Sequence, residues 1–223
     1  FRSDEIILKM LPFISENKLA EFCDGFCETS AFTPEEIEKV FIRAKSLGLK
    51  LKLHSEQFNN IGGLEKALEH NAISIDHLEV LKENQIEKLK NSDTVSVLLP
   101  GVSYFLNYDY APARKLIDND CTVALATDYN PGSSNINSLS LIFSLAAIKL
   151  KMTPEEIISA YTINAAKSLD RNLQVGSIEL GKKADFSIFD TTDYSELIYN
   201  VNSNLNIMTI KNGEIIYHNK ERE

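Results

Sequence analysis

Three short apolar runs in this sequence end in groups that can bind a metal ion or move a proton. Lys50-Leu51-Lys52-Leu53 leads into His54-Ser55-Glu56-Gln57, and Ile73-Ser74-Ile75-Asp76 leads into His77-Leu78-Glu79. Residues 123–127 lead into Asp128-Tyr129-Asn130-Pro131-Gly132-Ser133-Ser134. Neutral imidazole nitrogen and carboxylate oxygen are ligands that zinc and iron accept, with an open position for water. A metal lowers the pKa of that water toward neutrality, so hydroxide becomes available at physiological pH. A neighbouring carboxylate can take the proton and later pass it to a leaving nitrogen.

Each residue also has a plainer reading. A single histidine at a strand end is more often packed or hydrogen-bonded than a ligand, and Asp128 ahead of Asn130-Pro131-Gly132 can simply shape a turn. The joint placement of His54, His77 and Asp128 at three strand ends favours a site. Gly132 would let backbone approach a ligand, and Ser133 and Ser134 are expected to precede a helix whose N–H groups could hold a carboxylate. The alternative there is an ordinary Pro-Gly turn that caps the helix at Ser133 or Ser134. Leu98-Leu99-Pro100-Gly101 closes another strand, and Tyr104, Tyr108 and Tyr110 are expected in a long loop that could wall a pocket. His70 falls late in a helix, where a helix C-terminus explains it. His218 falls in the charged tail. Neither is assigned a role.

The elements that must position these groups read as alternating strands and helices. Strands are predicted at residues 22–27, where the first ends at Cys27-Glu28, and at 49–54, 73–77, 95–99 and 123–127. They begin roughly 20 to 30 residues apart, the spacing of βα units in a parallel sheet. Between them, Thr33 is a predicted helix cap with Pro34 at the first position and Glu35 and Glu36 in the first turn. Ile37, Val40, Phe41, Ala44 and Leu47 form the apolar stripe and Gly48 ends it. Thr153-Pro154-Glu155-Glu156 repeats that start, and Ser92-Asp93 ends a helix through Ile86 and Leu89. Periodicity alone leaves an open doubly wound sheet and a barrel equally open. After Leu169 helices are expected to stop. Strands at 184–189, 205–210 and 214–217 follow, the last two joined by Asn212-Gly213, a strong hairpin signal.

The chain has 223 residues, 43% hydrophobic and 25% charged, and this is ordinary globular composition. Its net charge of −9 repels phosphate backbones, which argues against nucleic acid as a partner. Cys23, Cys27 and Cys121 lie in apolar stretches without a CxxC pair, so reduced buried thiols and a cytoplasmic setting are expected. The longest apolar stretch, at 139–148, is too short to span a bilayer, and no membrane partner is expected.

Several stretches carry a family resemblance. They are LHSEQFNNIGG (53–63), SIDHLE (74–79), LLPG (98–101), PARKLID (112–118), ATDYNPGSS (126–134) and GSIELGKKAD (176–185). At these residues the chain resembles the amidohydrolase superfamily and, within it, the imidazolonepropionases. GSIELGKKAD is shared by many amidohydrolases, whereas LHSEQ together with ATDYNPGSS is selective. The resemblance implies a (β/α)8 TIM-type barrel, with strands 4–8 in residues 1–170, and the C-terminal part of a small β-sandwich-like composite domain in residues 171–223. It implies one divalent ion, zinc or iron, with His54 and Asp128 as ligands. His77 would polarise or protonate the carbonyl under attack, and Asp128 would also shuttle the proton. Gln57 would contact the imidazolone ring, while Asn130, Gly132 and Ser133 would hold substrate or product.

The implied reaction is hydrolysis of 4-imidazolone-5-propanoate, a small-molecule substrate, to N-formimino-L-glutamate in histidine degradation. A homodimer is the implied assembly. The HxH pair that such families carry on their first strand is absent from these 223 residues, whose histidines are 54, 70, 77 and 218. That segment is therefore expected upstream, or the chemistry is lost. Two other readings stay open: another cyclic amidohydrolase or base deaminase of the superfamily, and a catalytically incomplete fragment.

Overall fold

The computed structural model describes residues 2–219 and resolves into two compact units. Among the described residues, the first holds residues 2–98 and 109–123, the second residues 99–108 and 124–219.

The first unit opens with α1 (Arg2–Glu5), a π-helical segment (Ile6–Met10) and α2 (Leu11–Glu16). A parallel sheet follows, with β1 (Phe22–Cys23), β2 (Phe26–Cys27), β3 (Lys50–Ser55), β4 (Ser74–His77) and β5 (Val95–Leu98). The single strand predicted at 22–27 is therefore two, split at Asp24-Gly25. Both halves pair with β3 in one register, Phe22 opposite Lys50 and Phe26 opposite His54. Gly25 explains the close approach of helix to strand here, since a Cβ would lie 2.7 Å from Ile37 Cδ1. The sheet order is β1-β3-β4-β5-β6, where β6 (Val123–Leu125) contains the boundary between the units.

Helices α3 (Pro34–Ser46), α4 (Gly63–Glu69), α5 (Glu83–Lys90) and α7 (Ala113–Asp118) complete this unit. The predicted start of α3 is observed as a full capping box. Thr33 Oγ1 accepts from the Glu36 N–H at 3.3 Å, and Glu36 Oε2 accepts from the Thr33 N–H at 3.0 Å. Ile37, Val40, Phe41 and Ala44 are buried from it, and Gly48 follows with φ +80°. The buried stripe is the reason the helix forms here, because short helices draw most of their stability from packing.

In the second unit, Pro100-Gly101 starts α6 (Pro100–Leu106) immediately after the strand. Tyr104 is thus on a helix and not in the expected long loop, because Pro100 at the first position is pre-set for helical φ. Gly101 lets that helix pack tightly: a Cβ would meet Ile142 Cδ1 at 2.9 Å and the Thr127 carbonyl oxygen at 3.1 Å. Helices α8 (Leu139–Ile148), α9 (Pro154–Tyr161) and α10 (Ile163–Ser168) follow, and Thr153 caps α9 with a second capping box. No helix among the described residues is long and apolar enough to cross a membrane.

The tail forms a three-stranded antiparallel sheet of β7 (Phe186–Phe189), β8 (Asn206–Lys211) and β9 (Glu214–His218). Asn212 and Gly213 both have positive φ, +51° and +83°, the two-residue turn expected from their types. Asp185 supports that turn by accepting from the Asn212 N–H at 2.7 Å, which holds its carboxyl below the ordinary range. His218 lies in β9, opposite Met208. Helices do not stop at Leu169. A further one, α11 (Glu196–Tyr199), buries Ile198, and at four residues it is too short to show a helical period.

Gly63 sets the distance between α4 and the sheet. A Cβ there would lie 2.1 Å from Ser55 Oγ and 2.9 Å from Cys27 Sγ. We expect Gly63→Ala to destabilise the fold by about 1–3 kcal/mol through overpacking, measured as a lower urea midpoint at unchanged slope. A midpoint equal to wild type would show that the strand and helix separate without cost.

Candidate functional site

The C-terminal ends of β2, β3 and β4 gather Glu28, His54, Glu56, Gln57, Asp76, His77 and Glu79. Parallel pairing puts residues in rows across neighbouring strands: Phe26–His54–Asp76 in one row and Cys27–Ser55–His77 in the next. Successive residues of a strand face opposite sides, so regular geometry would place His77 on the face of Ser55. His77 and Leu78 instead have φ of +86° and +72°. This left-handed backbone re-aims the end of β4, and the His77 ring comes within 5.3 Å of the His54 ring, centroid to centroid, at an interplanar angle of 57°. Positive φ at a non-glycine residue costs of order 1–3 kcal/mol and is tolerated where the surroundings enforce it. Here the Leu78 N–H donates to the Ser55 carbonyl at 3.2 Å, and Val80 N–H donates to the Glu56 carbonyl at 2.9 Å.

His54 is half-buried between two aspartates. Its Nδ1 lies 3.3 Å from Asp24 Oδ1 and 3.2 Å from Asp24 Oδ2, while its Nε2 is 3.9 Å from Asp76 Oδ2. Asp76 accepts from Ser74 Oγ at 3.1 Å. Burial pushes its carboxyl above the ordinary range, against the pull of Lys52 and His54. His77 is 3% exposed. Its Nδ1 sits 3.6 Å from Glu79 Oε2, too long for a hydrogen bond, and the ring of Phe26 stands 6.5 Å away.

The loop after His54 carries Gln57 and is tied down on both sides. Glu28, 2% exposed, accepts from the Phe58 N–H at 3.1 Å, the Asn59 N–H at 2.9 Å and Asn59 Nδ2 at 2.8 Å. On the other side Asn60 Nδ2 donates to Gln85 Oε1 at 2.7 Å and to the Val80 carbonyl at 3.2 Å. Glu56, with φ +54°, turns the chain at the strand end, and its carboxylate accepts from the Leu64 N–H at the start of α4. Burial pushes the Glu56 carboxyl up against that hydrogen bond and the Ser55 hydroxyl. Gln57 is thereby buried at the strand mouth.

Asp128, in the second unit, also has positive φ, +52°. Its loop departs from expectation. The helix that follows begins at Leu139, where Ser138 Oγ accepts from the Leu141 N–H at 3.3 Å, so neither Ser133 nor Ser134 caps a helix. The N–H groups of Gly132 and Ser133 donate to Asn130 Oδ1 at 2.9 and 2.8 Å, and Asn130 Nδ2 donates to the Asp128 carbonyl at 2.7 Å. Asn130 thus makes a local turn with its own side chain, and an isolated bridge between Asn130 and Ser134 closes it. The helix N-terminus expected to hold a carboxylate is absent here because the asparagine satisfies the backbone first.

Sequence reasoning did not single out Asp24 or Gln85. Asp24 was hidden inside a predicted strand; an acid beside a glycine in an otherwise apolar run is the signal that marks it. Cys23, Cys27 and Cys121 are buried free thiols, as expected. Burial pushes Cys23 to about 11, and burial with Glu56, Glu28 and Glu35 nearby pushes Cys27 to about 12.

Histidines and carboxylates thus gather at the ends of parallel strands in an α/β sheet. The family's sequence profile matches residues 25–216, and the chain belongs to the amidohydrolase family. It is similar to the imidazolonepropionase of Thermoanaerobacter pseudethanolicus, at 49% identity over 90% of this chain and 48% of that protein. It is 43% identical to the imidazolonepropionase of Staphylococcus saprophyticus over 98% of this chain and 53% of that protein. The chain spans about half the length of the curated relatives it matches. Among solved structures, an adenosine deaminase from Xanthomonas campestris with bound zinc has a TM-score of 0.78 at 18% identity, covering 92% of this chain and 55% of that one. An atrazine chlorohydrolase from Arthrobacter aurescens, complexed with zinc and atraton, gives the same score and identity over 97% and 56%. These two likenesses establish the fold.

Glu28→Ala should release the loop by removing the carboxylate that the Phe58 and Asn59 amides share, at a cost of about 1–3 kcal/mol. Hydrogen exchange at the Phe58 and Asn59 amides is expected to speed up selectively, with the β3 amides unchanged. Uniform acceleration across the first unit would mean that Glu28 supports the fold and not this loop.

Proposed function

We propose that this chain carries part of the catalytic apparatus of a metal-dependent hydrolase that opens the cyclic amide of 4-imidazolone-5-propanoate to N-formimino-L-glutamate. In this reading residues 1–170 are strands 4–8 of a (β/α)8 barrel, and residues 171–223 are part of its small β domain. Its main support is the likeness to imidazolonepropionases across nine-tenths or more of the chain, joined to the pairing of His54 and His77 at neighbouring strand ends.

His54 and Asp128 are the proposed ligands of one divalent ion, zinc or iron. The donor chemistry fits: His54 directs Nδ1 to Asp24, so the lone pair of its neutral imidazole is at Nε2, and Asp128 offers a carboxylate oxygen. When bound, such an ion supplies Lewis-acid chemistry, lowering the pKa of water toward neutrality. His77, buried and re-aimed by its left-handed backbone, would donate to the carbonyl oxygen under attack. Asp128 would take the proton and return it to the departing ring nitrogen, so that the C–N bond breaks without expelling an amide anion. Gln57, held by the clamped loop, would contact the imidazolone ring. Asn130, Gly132 and Ser133 would hold the acyclic end of the substrate or product.

The test is turnover of 4-imidazolone-5-propanoate, followed by loss of imidazolone absorbance, in a polypeptide of the relatives' length that contains residues 1–223, with zinc or iron(II) supplied. No turnover would overturn the proposal, and turnover of a purine or pyrimidine base instead would redirect it to a deaminase. In that protein His54→Ala and Asp128→Ala are expected to lose the ion by elemental analysis. His77→Ala is expected to keep it while kcat falls about 10²- to 10⁴-fold, the range for losing one general acid–base group. Equal metal loss in all three variants would make His77 a ligand.

A further inference from the structure

We propose that Asp24 is the positioning residue of His54: its carboxylate holds the imidazole as the Nδ1–H tautomer and so makes Nε2 the ligand nitrogen. The inference deepens the metal-site reading and rests on it for the role of Nε2, but the tautomer itself does not.

Asp24 and Gly25 occupy the break between β1 and β2, and this dipeptide grips His54 twice. The Gly25 carbonyl accepts from the His54 backbone N–H at 2.8 Å, and the Asp24 carboxylate meets the His54 side chain at 3.2 and 3.3 Å. The main chain and the ring of one residue are thus referenced to the same point on the neighbouring strand. The carboxylate is itself fixed, since Asp24 Oδ1 accepts from the Gly25 N–H at 2.8 Å. Phe26, two residues on from Asp24, is the row partner of His54, so Asp24 reaches the ring from the neighbouring strand. Asp76 competes poorly for the same ring, because its nearer oxygen lies 3.9 Å from Nε2, beyond hydrogen-bond distance.

An ionised carboxylate only accepts, so the nitrogen it contacts must carry the proton, and a neutral imidazole has one proton to place. The lone pair is therefore at Nε2. The partner of the non-ligating nitrogen fixes ring orientation and tautomer at metal-binding histidines generally, and its removal costs 10- to 100-fold in metal affinity. Glycine at 25 leaves room for Ile37, whose Cδ1 would lie 2.7 Å from a Cβ there, and the Gly25 N–H holds the Asp24 carboxylate.

The test uses the metal-free 223-residue chain, labelled with nitrogen-15 at histidine, and reads the His54 ring nitrogens by long-range proton–nitrogen correlation above the imidazole titration range. Wild type is expected to show a protonated Nδ1 and an unprotonated, pyridine-type Nε2. Asp24→Ala should move His54 toward the Nε2–H form that imidazole side chains favour in water. Asp24→Asn, which keeps an acceptor oxygen in place and guards against a folding failure of the alanine variant, should retain mostly Nδ1–H. A wild-type His54 protonated at Nε2, or a tautomer unchanged by Asp24→Ala, would overturn the proposal. Zinc affinity, measured by competition with a chelating dye, is expected to fall 10- to 100-fold in Asp24→Ala and less in Asp24→Asn. A wild-type chain that shows the Nδ1–H signal yet takes up no zinc, alone or in the longer polypeptide, would sink the metal reading and leave the positioning role intact.

Discussion

Parallel pairing of β2, β3 and β4 is the constraint on which the site depends. The register places His54 beside Asp76 and Ser55 beside His77, with Phe26 and Cys27 completing the rows on the other side. A slip of one residue would exchange the faces of every side chain in β3. Leu51 and Leu53 would leave the core for the face now used by Lys52 and His54, so burial of these leucines holds the histidine where it is. The apolar pattern of the strand and the chemistry at its end are therefore one specification.

The strand ends are rich in acids for a buried region: Glu28, Glu56, Asp76 and Glu79 are all nearly inaccessible. A buried carboxylate is costly unless donors reach it. Glu28 has three donors and Glu56 has the Leu64 amide, which turns two liabilities into the clamps of one loop. Asp76 and Glu79 instead stand near histidines, Asp76 close to His54 and Glu79 close to His77. The acids thus divide into those that shape the backbone and those that set the surroundings of an imidazole.

Left-handed residues, found also elsewhere in the chain, occur at three of the strand ends. Glu56, His77 and Asp128 each follow or end a strand with positive φ, and none is a glycine. A chain leaving the sheet in a regular conformation would continue the alternation of faces. The left-handed step breaks it and lets side chains of different rows converge, as the rings of His54 and His77 do. Strain of this kind is kept only where neighbouring hydrogen bonds oppose its release, and the donors from Leu78 and Val80 do so at the end of β4.

Much of the architecture follows from residue types alone. The capping boxes at Thr33 and Thr153, the stripe of α3, the strand centres and the Asn212-Gly213 hairpin are local matters of side-chain chemistry and period, and so is the position of His54, His77 and Asp128 at strand ends. Other features required neighbours distant in sequence. Asp24 gains meaning only when β1 and β2 are laid beside β3, thirty residues on. The Asn130 side chain took the backbone donors assigned to a helix start, and Pro100 began a helix where a loop was expected. Periodicity reports which face of an element is apolar, since that depends on one chain segment and water. Which polar group meets which depends on register and on competition among donors, and those are settled only when the elements pack.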